Sequence, residues 1–543
     1  MAYKFSVVLL FLAVTQLFST STAQTASTAT KANSKFENWY NEDLSTDHKF
    51  GMSVDRAYEQ LLKGKKSKTV IVAIIDSGID IFHEALDGKV WTNEAEIPGN
   101  GIDDDHNGYV DDVHGWSFLG NSKGENVVYE NTEVCRLFKA LDPKYKNIQP
   151  GQVKPADSAE FRFYQKIRKK YLQEYEKAKK EADKAAPFAA NYQFADSVMC
   201  AYLHKEDYTL TDLKTVNPDT VKILKYSKEL LEFLYKQKGF DKSEFKDYLK
   251  QILVRYYFHE NVDFNPRIIV GDNPENIADV NYGNNDVMGP NPEHGTHVAG
   301  IVAANRNNTN GVKGVADNVR IMSLRVVPDG DERDKDIALA IRYATKMGAK
   351  VINMSFGKDT SPQKKFVDDA VKEAIAHDVL FVHAAGNDGK DIDTTDNFPS
   401  DILQDKSDVK ANWITVGASS MKRGKDLPAV FSNYGKKEVD IFAPGVNIYN
   451  LKPGNQYKEN DGTSMASPMV TGLAAMLRSY YPTLTAPQVK ECILKSAKVY
   501  KHKVFLPEEG SSKRPKVRFD ELSVSGGVAN VYNAVKLAET MCK

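Results

Sequence analysis

Apolar positions fall into two patterns along this chain, and each predicts a different kind of element. Short unbroken runs, of which Val70-Ile-Val-Ala-Ile-Ile-Asp76 is the first, have the length and β-branched content of strands buried on both faces. The stretches 321–327, 349–355, 379–384 and 413–417 are of the same kind. Between them, 336–347 and 366–377 space their apolar residues three to four apart, as one face of a helix requires. Strands alternating with helices of about a dozen residues predict an α/β fold around a mostly parallel sheet. A nearly all-apolar stretch from Met465 to Tyr480 predicts a buried helix, and 54–62 a short one ahead of the first strand.

The alternation stops between residues 121 and 265. There the chain predicts helices alone: 159–185, with Tyr164, Ile167, Tyr171, Tyr175 and Ala178 in one apolar stripe, then 221–237 and 243–258. Lysines and glutamates fill the other faces, which reads as a solvated surface or as a docking face for a partner or substrate. The predicted organisation is therefore a catalytic domain in two pieces, 49–120 and 266–543, interrupted by a mainly α-helical insertion, 121–265. A flexible segment, 24–48, precedes it.

The first residues follow a different rule. Lys4 precedes an apolar run, Phe5 to Phe18, and Ser21-Thr22-Ala23 follows with small residues at the cleavage positions. That is the layout of a secretory signal peptide cut after Ala23, and the run is shorter than the ~20 residues of a spanning helix. The expectation is export to the periplasm or beyond, with no integral membrane span after cleavage. A net charge of −1 gives no field for nucleic acid. Four cysteines, Cys135, Cys200, Cys492 and Cys542, lack the spacing of a metal site or a disulfide framework.

Three segments carry complementary chemistry. Asp76 ends a buried strand, at the carboxyl edge where open α/β sheets place their sites. His294 opens His294-Gly-Thr-His-Val-Ala-Gly300, whose small residues let a helix approach closely. Ser464 lies in Asn460-Asp-Gly-Thr-Ser-Met-Ala-Ser-Pro468, at the start of the apolar helix, where free N–H groups and the helix dipole favour developing negative charge. A serine hydroxyl needs a base to take its proton and a carboxylate to hold that base, and these residue types supply both. His297 is read as a packed neighbour and Ser467 as a helix residue. Asn387, between Gly386 and Gly389 after a buried strand, is placed to donate to an oxyanion.

These motifs, in the order Asp, His, Ser, resemble those of subtilisin-like serine proteases, the subtilases of peptidase family S8. The resemblance covers about 70–120 and 266–500, with a closing match at Gly526–Ala534. It implies a three-layer α/β fold with a seven-stranded parallel sheet and peptide hydrolysis through an acyl-enzyme on Ser464, with no catalytic cofactor. It further implies that Ser355, Phe356 and Gly357 pair with the substrate main chain and wall its P1 pocket. Leu324 to Asp329 would line the other side. The chain departs from the compact members between Asp76 and His294, 218 positions apart because of the insertion. A secreted endopeptidase is the leading reading. A processing or transpeptidating enzyme with one substrate, and a non-catalytic binding protein on the same fold, stay open.

A second chemistry stands apart. Asp103-Asp-Asp105-His-Asn107-Gly108-Tyr109-Val-Asp111-Asp112 sets oxygen donors at alternate positions with a glycine at the turn, like the first part of a calcium loop. Asp103, Asp105, Asn107, the Tyr109 carbonyl, and Asp111 or Asp112 are the expected ligands of a structural Ca²⁺. Asn305–Asn310 resembles another calcium loop of the family, without identifiable side-chain partners.

Overall fold

The computed structural model describes residues 36–307, 311–508 and 514–542; the signal-peptide reading falls outside them, as do parts of the 24–48 segment and the 305–310 loop. The chain divides into two compact units, one of Thr30–Glu133 and Asn265–Lys543, the other built from Val134–Phe264.

Parallel pairing organises the larger unit. Its sheet contains β1 (Val70–Asp76), β2 (Gly115–Ser117), β3 (Val319–Arg325), β4 (Val351–Met354), β5 (Leu380–Ala384), β6 (Trp413–Ser419) and β7 (Ile441–Pro444). A hairpin, β8 (Ile448–Lys452) and β9 (Gln456–Asn460), follows, then β10 (Lys498–Val499), a ribbon of β11 (Lys503–Phe505) with β12 (Lys516–Arg518), and β13 (Gly527–Val528). The sheet order is β10-β13-β7-β6-β5-β4-β1-β3-β2, with only β10 antiparallel to its neighbour. Seven strands are those the resemblance implies; β13 and β10 add two short edge strands at the β7 side. At two residues each, they are too short for a periodic signal.

Among the described residues, six helices of ten residues or more accompany the sheet: α1 (Glu293–Ala303), α2 (Asp334–Lys346), α3 (Lys364–Ala376), α4 (Thr463–Tyr480), α5 (Ala486–Lys495) and α6 (Val531–Met541). Side chains of β1 alternate between two cores, as a strand buried on both faces must. Val70, Val72 and Ile74 enter the core shared with α1, α4 and α6, while Ala73 and Ile75 enter the core shared with α2 and α3. Each fully buried Val or Ile contributes about 1.5–3 kcal/mol relative to exposure. β1 lies between β3 and β4, Ile75 facing Leu324 on one side and Met354 on the other. Asp76, the last residue of β1, therefore stands at the carboxyl edge of the sheet interior.

The smaller unit is helical. Its longest helix, Ser158–Leu203, runs 46 residues and continues through Pro187, beyond the 185 that the stripe alone marks. Tyr164, Ile167, Tyr171, Ala182, Tyr192 and Met199 lie buried along it, and Leu231 of Lys222–Tyr235 is fully buried against the same helix system. Aromatic contacts are its seams: Phe138 stacks on Tyr171 at 4.1 Å, and Tyr192 meets Phe245 edge-on at 5.1 Å. Asp196, buried beside them, is neutralised by Lys242 at 2.7 Å and Lys246 at 2.6 Å.

Candidate active site

Each side chain is delivered by one end of one element. Asp76 is 1% exposed and its Oδ1 accepts from the Ser77 N–H and from His294 Nδ1, both at 2.7 Å. Asp76 Oδ2 is buried with no hydrogen-bond partner among the described residues. His294 sits in the first turn of α1, its side chain 40% exposed, with Nδ1 anchored on Asp76 and no hydrogen bond at Nε2 among the described residues. Gly295 makes this approach possible: a Cβ there would stand 2.2 Å from the Gly78 carbonyl oxygen and 3.3 Å from the Asp76 Cβ. Desolvation works to lower the pKa of His294, but the charge of Asp76 and its hydrogen bond outweigh it, so the value stands above the ordinary one.

Three residues further on, the same helix treats a histidine differently. His297 is fully buried, its Nε2–H donating to the Ile448 and Lys458 carbonyls at 3.0 and 3.2 Å. Burial drives its pKa down to about 3, which keeps it neutral. His297 is thus a tie between α1 and the β8–β9 hairpin.

Ser464 is the second residue of α4, in its first turn, and Ser467 and Pro468 follow in the second turn, Pro468 inside the helix rather than at its start. Its Oγ–H donates to the Ser355 carbonyl at 3.0 Å, and the Ser355 hydroxyl donates back to the Ser464 carbonyl at 3.0 Å. Among the described residues no hydrogen bond joins Ser464 Oγ to His294. Asn387 reaches the same helix end: its Oδ1 accepts from the Thr463 N–H and hydroxyl, each at 2.9 Å. That caps α4 and leaves the amide NH₂ free of partners among the described residues. Gly462, at φ 156°, leaves a hollow there. A Cβ on it would lie 3.5 Å from the Ser464 nitrogen and 3.6 Å from Asn387 Nδ2. Two N–H donors thus border a space no side chain fills, the arrangement that stabilises a developing oxyanion.

Behind Ser355-Phe356-Gly357, His383 holds the segment by donating to the Phe356 carbonyl at 2.8 Å, and burial lowers its pKa to about 4. Asn397 supports the opposite side, donating to the Ala385 carbonyl at 3.1 Å, with its Oδ1 2.8 Å from where a Gly357 Cβ would be. A cavity of about 260 Å³ beside them is lined by His383, Asn397, Phe398 and Thr415, not by Ser464 or His294. Thr463, His383 and Asn397 carry no sequence signal beyond their neighbours; only their hydrogen bonds reveal them. Leu324 requires a correction. It is fully buried in β3, between Ile75 and Trp116, and cannot line a substrate groove. It belongs to the apolar run that makes β3 a strand buried on both faces, so its side chain goes into the core.

A family model, the subtilase family (Peptidase_S8), matches residues 67–522. The chain belongs to the subtilase family. Among characterised relatives, it is 40% identical to subtilisin DY of Bacillus licheniformis over 206 residues, 38% of this chain and 70% of that protein. It is 44% identical to a thermophilic serine proteinase of Bacillus sp. (strain AK1) over 187 residues, 34% of this chain but 42% of that one. Of solved structures, it is similar to a protease of Pseudoalteromonas arctica PAMC 21717, 26% identical, TM-score 0.37, covering 45% of this chain and 70% of that chain. At the level of the family this is serine peptidase chemistry, which needs no catalytic cofactor. Among the described residues, no helix of this subtilase is long and apolar enough to cross a membrane.

The predicted calcium ligands are divided by the structure. Asp103 accepts from the Asn107 and Gly108 N–H groups, and Asp111 from those of Gly99, Asn100 and Gly101. Both carboxylates shape turns. Tyr109 packs its ring edge-on to Trp116 and Tyr343. Asp105 and Asp112 converge instead with Glu96, which has no place in the alternating motif. All four cysteines are free.

Proposed function

We propose that this subtilase is an exported serine endopeptidase that cleaves extended polypeptide chains, with Ser464 as nucleophile, His294 as general base and Asp76 as its orienting carboxylate. The observations that support this reading are the Asp76–His294 pair at 2.7 Å and, on α4, an N-terminal turn bearing Ser464 whose N–H borders the space over Gly462 together with Asn387 Nδ2. The apolar run before Ala23 supports export, by signal cleavage, to the periplasm or the medium.

The chemistry follows from the atoms. Asp76 accepts from His294 Nδ1, which fixes the tautomer with Nε2 free to take a proton. When substrate enters, the Ser464 hydroxyl redirects its proton from the Ser355 carbonyl to that nitrogen, and Oγ attacks the scissile carbonyl carbon. Catalytic hydrogen bonds absent before substrate binding are a normal feature of such sites. The carbonyl oxygen takes the negative charge into the hollow between the two N–H donors. His294 then returns its proton to the leaving amine, and water repeats the sequence on the acyl-enzyme. Ser355, Phe356 and Gly357 are the proposed substrate strand, held by His383 at the Phe356 carbonyl and flanked by Asn397 at Gly357.

A fluorophosphonate probe tests this directly. The adduct is expected on Ser464 and nowhere in Ser464→Ala. A folded protein that does not label, and cleaves no unfolded polypeptide, would overturn the assignment.

A further inference from the structure

We propose that Lys358 is a positioning residue for the substrate: its ammonium ties the far end of the Ser355–Gly357 segment to residues 332–334, and so fixes the spacing of the groove between them. Lys358 follows Gly357 directly, and its role rests on the reading of Ser355, Phe356 and Gly357 as the substrate strand. Asp329 ends the run expected to line the other side of the groove, three residues before Glu332.

Lys358 is 6% exposed, and the three N–H groups of its ammonium meet three oxygens. Nζ stands 2.7 Å from Glu133 Oε2, 2.9 Å from Asp334 Oδ1 and 2.8 Å from the Glu332 carbonyl oxygen. The acceptors are held in turn. Asp334 accepts the Gln363 N–H at 2.8 Å through its other oxygen, just ahead of α3, and the Glu133 N–H donates to Asp331 Oδ2 at 2.7 Å. Between them the main chain runs as a parallel pair. The Asp329 N–H donates to the Val128 carbonyl at 2.8 Å, and the Asp329 carbonyl accepts from the Glu130 N–H at 2.9 Å.

The substrate strand is thus fixed at its two ends by different means. At its start, Ser355 exchanges two hydrogen bonds of 3.0 Å with Ser464. At its end, the Lys358 N–H donates to the Phe398 carbonyl at 3.0 Å and the Phe398 N–H donates back at 2.9 Å, while the side chain crosses to Glu133, Glu332 and Asp334. A buried ion cluster adds little stability over apolar residues of the same volume, but its geometry admits one arrangement. Without the ammonium, two buried carboxylates face each other uncompensated, and the segments that carry them separate. An extended peptide lying along the strand then loses the contacts furthest from Ser464 and keeps those beside it.

The test compares the full chain with Lys358→Met on two p-nitroanilide peptides, copied from one site that the parent cleaves in an unfolded polypeptide. One carries two residues before the scissile bond and the other four. Lys358→Met should raise KM for the longer peptide about ten-fold and keep kcat within about three-fold, the signature of lost uniform binding. For the shorter peptide kcat/KM should change less than about three-fold, and the rate of fluorophosphonate labelling at Ser464 less than about two-fold. Asp334→Asn keeps the shape of the cluster and serves if Lys358→Met does not fold; it should raise the same KM about three-fold. A drop in labelling and kcat as deep as the rise in KM overturns the proposal, because the cluster would then support the fold alone. A parent that labels at Ser464, with KM for the longer peptide unchanged in both variants, removes this proposal by itself. A parent that does not label removes the serine assignment and this proposal with it.

Discussion

The two units solve the problem of burying a helix in opposite ways. In the catalytic unit, α1 and α4 are buried nearly all round and made of small residues. Gly295, Gly300 and Gly472 sit where any Cβ would collide with a neighbour. In the helical unit, helices bury one stripe of tyrosines, alanines and leucines and leave Lys and Glu outside. The difference follows from what each must hold. A side chain that does chemistry tolerates little displacement, so its helix is pressed close: Gly295 against the Gly78 backbone, Gly300 against the Asn450 and Leu451 side chains, and Gly472 against Val315. A helix that only has to pack can rest on large, forgiving aromatic contacts.

Breaking the close-packed side at its chemical centre should have the largest effect. His294→Ala should lower kcat by several orders of magnitude, whereas His297→Ala should keep measurable turnover and lose stability through its two carbonyl ties. The loss for a catalytic histidine in subtilisin itself is about 10⁶. Steady-state kinetics on an unfolded polypeptide decides this, and an equally deep loss in His297→Ala would mean the wrong base has been assigned.

Next comes geometry without chemistry. Gly295→Ala keeps every catalytic group but places a methyl 2.2 Å from the Gly78 carbonyl. A displacement of about 1 Å at a catalytic group costs about 10²-fold, so kcat/KM should fall by about that much while the fold is retained by circular dichroism. Turnover equal to wild type would show that α1 is not so tightly constrained.

The helical unit should respond in stability rather than rate. Leu231→Ala deletes a fully buried side chain, a change costing about 2–5 kcal/mol. The expected result is an earlier loss of helical signal on heating, with fluorophosphonate labelling of Ser464 retained below the main transition. One transition shifting as a whole would erase the distinction between the units.

The smallest effect is a position on the pH axis. The Asp76 charge raises the pKa of His294 in the folded state, so the protonated imidazole is favoured and the neutral base appears only at higher pH. The acid limb of kcat/KM should therefore lie above the ordinary histidine value of 6.5. The stability this pair adds is full below that value and is lost as pH rises through the folded pKa. His297, held near 3, has the opposite sign: it destabilises the fold as pH falls below 6.5. A limb below 6.5 would contradict the carboxylate's role.

Sequence alone determined whatever neighbours along the chain can encode. β1, α2 and α3 were legible within about two residues because period and burial are local properties, and the Asp76, His294 and Ser464 motifs because glycines and small residues mark them. Tertiary structure decided what depends on residues far apart. It sent Leu324 into the core and brought Thr463 and Asn387 together across 76 positions. It also set Tyr343 on Asp112 across 231 and added Glu96 to the aspartates. A carboxylate's partner, unlike a helix's period, is chosen by where the folded chain returns, and no local pattern records that return.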